Sequence, residues 1–324
     1  MGVKLNDVAV FEEINLQKLS GRIVAIDAFN MLYQFLATIR GADGTPLKTA
    51  DGKTTSHLVG LFARASNFLE SGMKPLFVFD GESPEFKRKE RERRKELKMQ
   101  AMKEYEMAEQ EQDIERMKKY AARTSLLTKE MVDDAKRLLD AMGIPFIQAK
   151  SEGEAEAARL VSAGKAYASA SEDYDSLLFG SPRLIRQLSV TGKRRISKKL
   201  GTYTVQPQMI TLERVLNEAG LDRKQLIALG ILVGTDFNIG GVKGIGPKKG
   251  LKMVKEYEGD FEKMFKEAEY EKYCETPWDE IMEFFLNPPD SGVESFEFKS
   301  IDEEKLKKML VEEYEFSEER QQIS

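Results

Sequence analysis

The sequence predicts an α/β fold in which a mostly parallel central sheet is flanked by helices. Three short apolar runs have the composition of buried strands, at residues 22–27, 75–79 and 167–171. Each run ends at or just before an acidic residue, and helical patterns separate the runs. Parallel strands need such crossovers, and their carboxyl ends meet at one edge of the sheet. We therefore expect acidic side chains to gather at that edge.

The connections between these strands have helical patterns. The predicted helices are one that carries Met31, Leu32, Phe35 and Leu36, one at residues 57–70, one at residues 128–142 and one that begins near Ser151. A further strand is expected in the GIPFIQA segment before Ser151. From residue 212 the chain is predicted to be helical, apart from a glycine-rich loop at residues 238–250. A turn at residue 287 leads into an acidic, helical tail.

A strongly charged arm interrupts the α/β pattern after residue 84. Residues 87–103 contain nine lysines and arginines against three glutamates, and residues 104–115 contain six acids and no base. The arm has helix-forming residues but almost no large apolar side chains, so it cannot form a core. A solvated helical hairpin or a mobile arm is expected.

The counts of cysteine and histidine limit the kinds of catalytic and metal site that the chain can form. The chain has one cysteine, Cys274, and one histidine, His57, which excludes an intramolecular disulfide and a zinc site built from Cys and His. Acid–base or metal chemistry therefore falls to the 55 carboxylates. The net charge of −5 would argue against nucleic acid, but the charge is segregated along the chain. The sequence has no run of about 18 apolar residues and no signal-peptide pattern, so we expect an intracellular protein without membrane contact.

The candidate site consists of acidic residues at predicted strand and helix ends: Asp27, Asp80, Glu152, Glu154, Glu156, Glu172, Asp173, Asp175 and Asp236. Such a cluster stays ionised only beside cations. Oxygen ligands without histidine or cysteine point to Mg²⁺ or Mn²⁺. Two such ions about 3.5–4 Å apart activate a water and stabilise the leaving oxygen of a phosphodiester.

Each of these acids also has a structural interpretation. An acid after a strand is often a turn residue or a helix N-cap. Ser151 and Glu154 match a capping box, which would give Glu154 a structural role. These interpretations explain poorly why several acids share one sheet edge, so we favour metal binding for the set.

The loop at residues 241–250 has the form of a clamp on a DNA backbone. Gly244 and Gly246 expose backbone NH groups beside a helix start, and Lys243, Lys248 and Lys249 lie next to them. The loop is not a phosphate-binding loop of the Walker type. Glycines at this spacing between two helices are typical of a helix–hairpin–helix element, although a plain glycine turn remains an alternative.

In this order, the motifs resemble the flap endonucleases of the archaeal and eukaryotic type, within the 5′-nuclease superfamily. The resemblance covers nearly the whole chain, and the matching stretches are MGV, VAIDAFNMLYQFL, TTSHL, FVFDGESPEFK, MGIPFIQAKSEGEAEAA, ASASEDYDSLLFGS, LVGTDFNIGGVKGIGPKKG and FSEER. It implies a PIN-like 5′-nuclease core with a helical arch and a C-terminal helix–hairpin–helix module.

The resemblance also assigns residues. It implies two Mg²⁺ ions, with Mn²⁺ as a substitute, held by seven carboxylates: Asp27, Asp80, Glu152, Glu154, Asp173, Asp175 and Asp236. Lys87 and Arg94 match the basic pair that reaches the scissile phosphate from the base of the arch. Tyr33 matches an aromatic residue that stacks on a base, and Arg40 and Arg64 match arginines near the flap.

The implied organisation is a single nuclease domain over residues 1–324. Its expected parts are an N-terminal nuclease region at 1–84, a helical arch at 85–127, an internal nuclease region at 128–211, a helix–hairpin–helix module at 212–286 and a C-terminal tail at 287–324. The family carries a basic stretch and a sliding-clamp motif beyond FSEER, whereas this sequence stops at Ser324 without that motif, so we expect either a truncated chain or no clamp binding. We expect a monomer, cytoplasmic if archaeal and nuclear if eukaryotic.

The implied activity is cleavage of DNA with a 5′ flap near the junction of single strand and duplex, with an associated 5′–3′ exonuclease activity, in replication (Okazaki fragment maturation) and repair. Glu82 and Ser83 stand where the family commonly has Lys and Pro, which removes a positive charge beside Asp80. A phosphatase of the haloacid-dehalogenase type would need an acid where Phe29 stands. A helix–hairpin–helix scaffold without nuclease activity would show gaps among the seven carboxylates, and the sequence shows none.

Overall fold

A computed structural model describes residues 9–41, 44–111, 113, 115–116, 120, 126–190, 192–195 and 202–317. Within these ranges the side chains of residues 89–91, 94, 109, 192–195 and 202–204 lie outside the description. The last three residues of the FSEER stretch, 318–320, the initial MGV and much of the second half of the expected arch also fall outside it.

The described strands form one large sheet and one ribbon. Their bounds are β1 Glu12–Glu13, β2 Ile23–Asp27, β3 Lys74–Phe79, β4 Phe146–Gln148, β5 Ala168–Ala170, β6 Arg183–Arg186, β7 Gly192–Arg195, β8 Thr202–Val205 and β9 Gln208–Thr211. The large sheet has the order β1-β9-β6-β5-β2-β3-β4, and β7 and β8 pair as a separate antiparallel ribbon.

The sheet is mostly parallel, as the sequence predicts. Strands β4, β3, β2, β5 and β6 run parallel to one another. The exceptions are β9, which pairs antiparallel with β6, and the two-residue β1, which pairs antiparallel with β9. In the register of β2 and β3, Asp27 stands opposite Val78, so the carboxyl ends of these two strands are level.

Helices cover both faces of this sheet. The described α-helices are α1 Ala28–Thr38, α2 Ser56–Glu70, α3 Arg88–Gln110, α4 Lys129–Ala141, α5 Gly153–Ser162, α6 Asp175–Leu178, α7 Leu212–Ala219, α8 Arg223–Val233, α9 Pro247–Glu256, α10 Phe261–Glu267, α11 Trp278–Leu286 and α12 Glu303–Lys307. Short 3₁₀ turns occur at Leu16–Leu19, Glu85–Lys87 and Tyr270–Lys272, and a π-helical turn at Lys308–Glu313.

The core follows the alternation of side chains along the strands. On β2, Val24 and Ile26 pack in the apolar cluster that includes α1, α2 and α4, whereas Ala25 packs on the other face against α5. On β3, Phe77 and Phe79 point to the first of these clusters. Because both faces are buried, the interiors of the central strands β2 and β3 are apolar, and charged residues stand at the strand ends, as Lys74 and Asp27 do.

Helix α3 differs from these elements. Its 23 residues span about 35 Å at 1.5 Å per residue. Ala101 and Ala108 are buried, while Leu97, Met99 and Met102 are about half exposed. The predicted helical, largely solvated arm is therefore present over Arg88–Gln110.

Helices α8 and α9 are joined by the glycine-rich loop. A Cβ atom on Gly250 would lie 2.8 Å from Cδ1 of Leu229, so a glycine is needed where the two helices approach. Helix α9 begins at Pro247, earlier than the sequence suggests, because proline is suited to the first turn of a helix. The described residues contain no helix that is both long and apolar enough to cross a membrane.

Candidate active site

The parallel strands deliver carboxylates to one edge of the sheet. Asp27 is the last residue of β2, Asp80 follows β3, and Asp173 and Asp175 follow β5. Since β2 lies between β3 and β5, the three strand ends are neighbours. This arrangement is the one expected from the three acidic strand ends.

Asp27 combines a structural hydrogen bond with a perturbed pKa. It is buried, and its Oδ1 accepts a hydrogen bond of 2.9 Å from the backbone N of Asn30, which caps helix α1. Burial, together with the nearby charges of Asp80 and Asp173, raises the pKa of Asp27 to about 8, against the opposing effects of that hydrogen bond and of Lys87. Asp27 is thus both a helix cap and a member of the acidic cluster.

Asp80 is held by the start of helix α5. Its Oδ1 accepts a hydrogen bond of 2.7 Å from the backbone N of Gly153. A Cβ atom on Gly153 would lie 2.7 Å from the same oxygen, so only glycine allows this contact without a shift. Gly81, the next residue after Asp80, packs equally tightly: a Cβ there would lie 2.1 Å from the carbonyl oxygen of Ala149.

Helix α5 contributes Glu152 and Glu154. Glu152 occupies the N-cap position but makes no side-chain cap hydrogen bond. The capping-box interpretation of Ser151 and Glu154 is therefore wrong, because the helix begins one residue later than that motif requires. Burial and the charges of Asp175, Asp173 and Asp27 raise the pKa of Glu154 well above its usual value.

Asp173 and Asp175 come from the turn after β5. The backbone N of Asp173 donates to Oγ of Ser171 at 3.2 Å, and Nδ2 of Asn30 donates to Oδ2 of Asp173 at 3.4 Å. Asp175 is buried at the start of the short helix α6. Asn30 thus contacts both Asp27 and Asp173, on two different strand ends.

Asp236 reaches the site from the loop after α8. Asn238 fixes this loop: its Oδ1 accepts hydrogen bonds from N and Oγ1 of Thr235, at 3.0 and 2.7 Å. Its Nδ2 donates to the carbonyl oxygen of Ile231 at 2.6 Å. Asp236 is therefore placed by a buried hydrogen-bond network rather than by a strand end.

Lys87 brings a positive charge into this cluster from the 3₁₀ turn before α3. Its Nζ lies 2.5 Å from Oε2 of Glu152 and 3.7 Å from Oδ2 of Asp236. Burial lowers the pKa of Lys87, but the carboxylates of Glu152, Asp236 and Asp80 outweigh it and raise the pKa above its usual value. Lys87 therefore stays charged, and its contacts connect Glu152, at the N-cap of α5, to Asp236 in the loop after α8.

The other predicted DNA contacts of the N-terminal region come from α1, the loop after it and α2. Tyr33 on α1 is 36% exposed, and Nζ of Lys98 in the arch lies 4.6 Å from the centroid of its ring. Arg40 donates to the carbonyl oxygens of Ala37 and Gly44, at 3.2 and 2.9 Å, so it also shapes its own loop. Arg64 is partly buried on α2. The side chain of Arg94 lies outside the described residues.

The glycine–lysine loop presents an exposed surface. Lys243, Lys248 and Lys249 are exposed. Gly244 has φ +82°, a conformation that favours glycine, which explains this residue as a turn. Gly246 has an ordinary φ of −94°, and a Cβ atom on it would meet no described atom within 4 Å, so the fold itself does not require a glycine there. Both glycines and all three lysines stay predicted DNA contacts.

Glu156 and Glu172 have structural partners. Glu156 is 2% exposed, pairs with Arg159 at 2.7 Å and accepts a hydrogen bond of 2.8 Å from Oγ of Ser291. Glu172 accepts a hydrogen bond of 3.0 Å from Oγ of Ser189. These contacts separate the two acids from the seven candidate ligands, which sequence spacing alone could not do.

The donor set suits a hard divalent cation. All seven candidate ligands are carboxylates, and burial together with the neighbouring acids raises the pKa of Asp27 and Glu154, a cost that a bound cation relieves. Within the described ranges, however, no three acid, histidine or cysteine side chains form a ready-made metal site. Lys87 instead balances part of the negative charge. The residues fit divalent metal in type and charge, and their roles as ligands stay predictions.

Sequence reasoning did not identify Asn30, Gly153 or Phe86 as parts of the site. Asn30 lies three residues after the helix-capping Asp27, and Gly153 follows Glu152 at a helix start. Both residues could therefore have been recognised from their positions in the sequence. Phe86 is the one large apolar residue between Phe79 and Leu97. Its contacts with residues far along the chain depend on tertiary structure.

Known proteins share both the sequence and the fold. The XPG N-terminal domain matches residues 1–101, and the XPG I-region matches residues 143–236. Flap endonuclease 1 of Staphylothermus marinus is 51% identical over 324 residues, which cover 99% of this chain and 92% of the relative. Flap endonuclease 1 of Thermococcus onnurineus is 49% identical over 320 residues with the same coverage.

The fold agrees with a solved relative. The structure of flap endonuclease-1 from Methanococcus jannaschii superimposes with a TM-score of 0.76 at 38% identity and covers 98% of this chain and 95% of that chain. The family matches include Lys87, the strand-end acids and, as the last matched residue, Asp236. The predicted resemblance is confirmed, and the chain belongs to the flap endonuclease 1 family.

Proposed function

We propose that this protein is a structure-specific 5′ flap endonuclease with an associated 5′–3′ exonuclease activity, acting in DNA replication, including Okazaki fragment maturation, and in repair. It hydrolyses a phosphodiester near the junction of single strand and duplex, leaving a 5′-phosphate and a 3′-hydroxyl. The observation that carries the proposal is the convergence of seven carboxylates and Lys87 at one sheet edge. Membership of the flap endonuclease 1 family supports it.

The proposed cofactor is Mg²⁺, two ions per site, with Mn²⁺ able to replace it. The residues that would hold the ions are Asp27, Asp80, Glu152, Glu154, Asp173, Asp175 and Asp236. When bound, the metal supplies an activated water and stabilises the leaving oxygen. The protein contributes fixed carboxylates: Gly153 orients Asp80, and Asn30 contacts Asp27 and Asp173.

Lys87 is the residue we assign to the scissile phosphate, together with Arg94. Its ammonium group is charged and partly buried among the acids, and a positive group preorganised beside the reacting phosphate stabilises negative charge that develops in the transition state. Its position at the start of the arch places it between the arch and the carboxylates.

Duplex binding is assigned to the loop between α8 and α9. Its exposed lysines and the backbone NH groups at the start of α9 suit phosphates, which carry no sequence information. The substrate is therefore branched DNA with a 5′ flap, selected by shape. Tyr33, Arg40 and Arg64 are proposed to contact the DNA close to the junction, and residues 85–127 are proposed as the arch.

The test is cleavage of a 5′-labelled double-flap DNA with and without Mg²⁺. We expect cleavage near the junction with Mg²⁺ or Mn²⁺ and none after chelation. A single-stranded oligonucleotide and a nicked duplex without a flap serve as substrate controls, and the flap should be cleaved fastest. Metal-independent cleavage would contradict the metal assignment, and equal rates on all three substrates would contradict structure specificity.

A further inference from the structure

Phe86 is an isolated apolar side chain at the base of the arch. Between Phe79 and Leu97 it is the one large apolar residue in a stretch that is otherwise charged, polar or small. It lies in the 3₁₀ turn Glu85–Lys87 and packs, partly buried, against the apolar cluster of the C-terminal helical layer. The base of the arch therefore has a specific apolar attachment point.

That attachment is a triangle of three phenylalanine rings. Phe86 makes edge-to-face contacts with Phe237 and with Phe284, each with 5.3 Å between ring centroids. Phe237 and Phe284 close the triangle at 5.1 Å. Such edge-to-face pairs are directional, because the positive edge of one ring faces the negative face of another. We call these three residues the aromatic triangle.

The aromatic triangle adjoins two residues of the site. Phe86 precedes Lys87 in sequence, and Phe237 follows Asp236. The Nζ of Lys87 lies 5.6 Å from the centroid of the Phe237 ring, within the range of a cation–π contact. The backbone N of Lys87 also donates to the carbonyl oxygen of Pro84 at 3.0 Å, which closes the turn.

We propose that Phe86 is a positioning residue for Lys87. Docking of its ring on Phe237 and Phe284 fixes the backbone from which Lys87 extends and aims the ammonium group at the cleavage site. This inference rests on the proposed function and adds a specific mechanical role for the aromatic triangle.

The ion pairs of Lys87 do not replace this contact. In the structure Lys87 pairs with Glu152 and Asp236, but an ammonium group that contacts the scissile phosphate cannot keep both pairs unchanged. The contacts of Phe86 involve no charge. They remain available both when Lys87 is in its ion pairs and when it contacts the scissile phosphate. When Lys87 binds the phosphate, its backbone and its flexible side chain both lose conformational freedom. If the backbone is already fixed, less entropy is lost in that step.

The test is single-turnover cleavage of one flap substrate, with Mg²⁺, by the wild type, Phe86→Ala, Lys87→Ala and the double variant. We expect Phe86→Ala to lower the rate about tenfold, the scale of a small misplacement of a catalytic group. The dissociation constant for DNA should stay within threefold. In the Lys87→Ala background, Phe86→Ala should have no further effect on the rate, because its role acts through Lys87.

Two further variants separate positioning from folding. Phe86→Tyr keeps the ring and should restore most of the rate, whereas Leu97→Ala removes an exposed apolar side chain farther along the arch and should leave the rate unchanged. Thermal unfolding of each variant identifies any global loss of structure. Trypsin should cut after Lys87 or Arg88 faster in Phe86→Ala than in the wild type.

The outcomes distinguish this inference from the proposed function. A wild type that does not cleave the flap overturns both. A wild type that cleaves, with Phe86→Ala at the same rate, overturns the inference alone. Equal losses from Phe86→Ala with and without Lys87 would also overturn it, because the residue would then support the fold and not the lysine.

Discussion

The carboxylate edge of the sheet and the loop between α8 and α9 carry charge in opposite ways. At the edge, Asp27 and Asp175 are buried, and neighbouring acids raise the pKa of Asp27. In the loop, Lys243, Lys248 and Lys249 point into solvent on a frame built by glycines. The sheet edge concentrates charge, which lowers the folding stability. The loop exposes its charge to solvent at almost no cost in folding stability.

The difference separates chemistry from affinity. Buried, fixed groups are suited to act on a reacting atom, since they need no reorganisation. Exposed cations are suited to phosphates of any sequence and respond to salt. Changes at the edge should therefore alter the rate more than binding, and changes in the loop should do the reverse.

The largest expected effect is that of Asp173→Ala. Loss of a metal ligand removes several kcal/mol of transition-state stabilisation, so we expect the single-turnover rate to fall by at least about 10³-fold. The DNA affinity should stay within tenfold. Glu172→Ala is the matched control, because this neighbouring acid bonds Ser189 and should keep most of the rate. Cleavage by Asp173→Ala at nearly the wild-type rate would disprove the ligand assignment.

Gly153→Ala tests whether the position of a carboxylate at the sheet edge controls the rate. The new Cβ would lie 2.7 Å from Oδ1 of Asp80, so the carboxylate must move. A displacement on the scale of 1 Å lowers rates by up to about 10²-fold. Alanine is also the better helix former, so thermal stability should not fall with the rate. An unchanged rate would show that the position of Asp80 is not critical.

His57 is a titratable side chain that is buried outside both of these regions. It shows how burial of such a group affects the folding stability. It is fully buried, and neither ring nitrogen makes a hydrogen bond to a described residue. Burial lowers the pKa of His57 from 6.5 to about 4, although Asp134 partly opposes this shift. The folded protein therefore keeps His57 neutral at pH values where the unfolded chain is protonated.

The sign of the resulting pH dependence follows from that difference. The stability that neutral His57 permits is fully present above pH 6.5 and is lost as the pH falls towards 4. At pH 5 we expect a loss of about 2 kcal/mol, at 1.36 kcal/mol for each pKa unit. Urea unfolding of the wild type and His57→Leu between pH 7.5 and 5 measures it, since both chains share every acid. A stability difference between the two that does not change with pH would refute the expectation.

The loop lysines should show the mildest effect on the reaction. Replacing Lys243, Lys248 and Lys249 together by alanine should weaken binding roughly tenfold and reduce the salt slope by about 3, one for each phosphate contact. The rate at saturating DNA should change little. A control with the same change in net charge replaces Lys305, Lys307 and Lys308 near the C-terminal helix. If both variants bind alike, the loop has no specific role.

Much of the fold was predictable from local pattern. The strands at residues 22–27 and 75–79 and the helix at 57–70 appear nearly as expected, because long apolar periodicities leave few alternatives. The antiparallel edge was not: β1 has two residues, and its strand character comes entirely from pairing with β9. The site acids at strand ends were predictable for the same topological reason. The contacts of Asn30 and of Phe86 were not, since they join segments that only tertiary structure brings together.

The order of strands has a consequence for how the protein is made. Strand β2 pairs with β5, whose residues come about 140 positions later, and β1 pairs with β9 at the far end of the sheet. Such long-range pairings are slow to form, because the chain loses conformational entropy before the stabilising contacts between the strands have formed. The sheet cannot be completed until Thr211 has left the ribosome, about 10–40 s after Glu12 at 5–20 residues per second. Until then the apolar strands β2 and β3 lack part of their cover, so the nascent chain exposes apolar surface for longer than a protein of local contacts would.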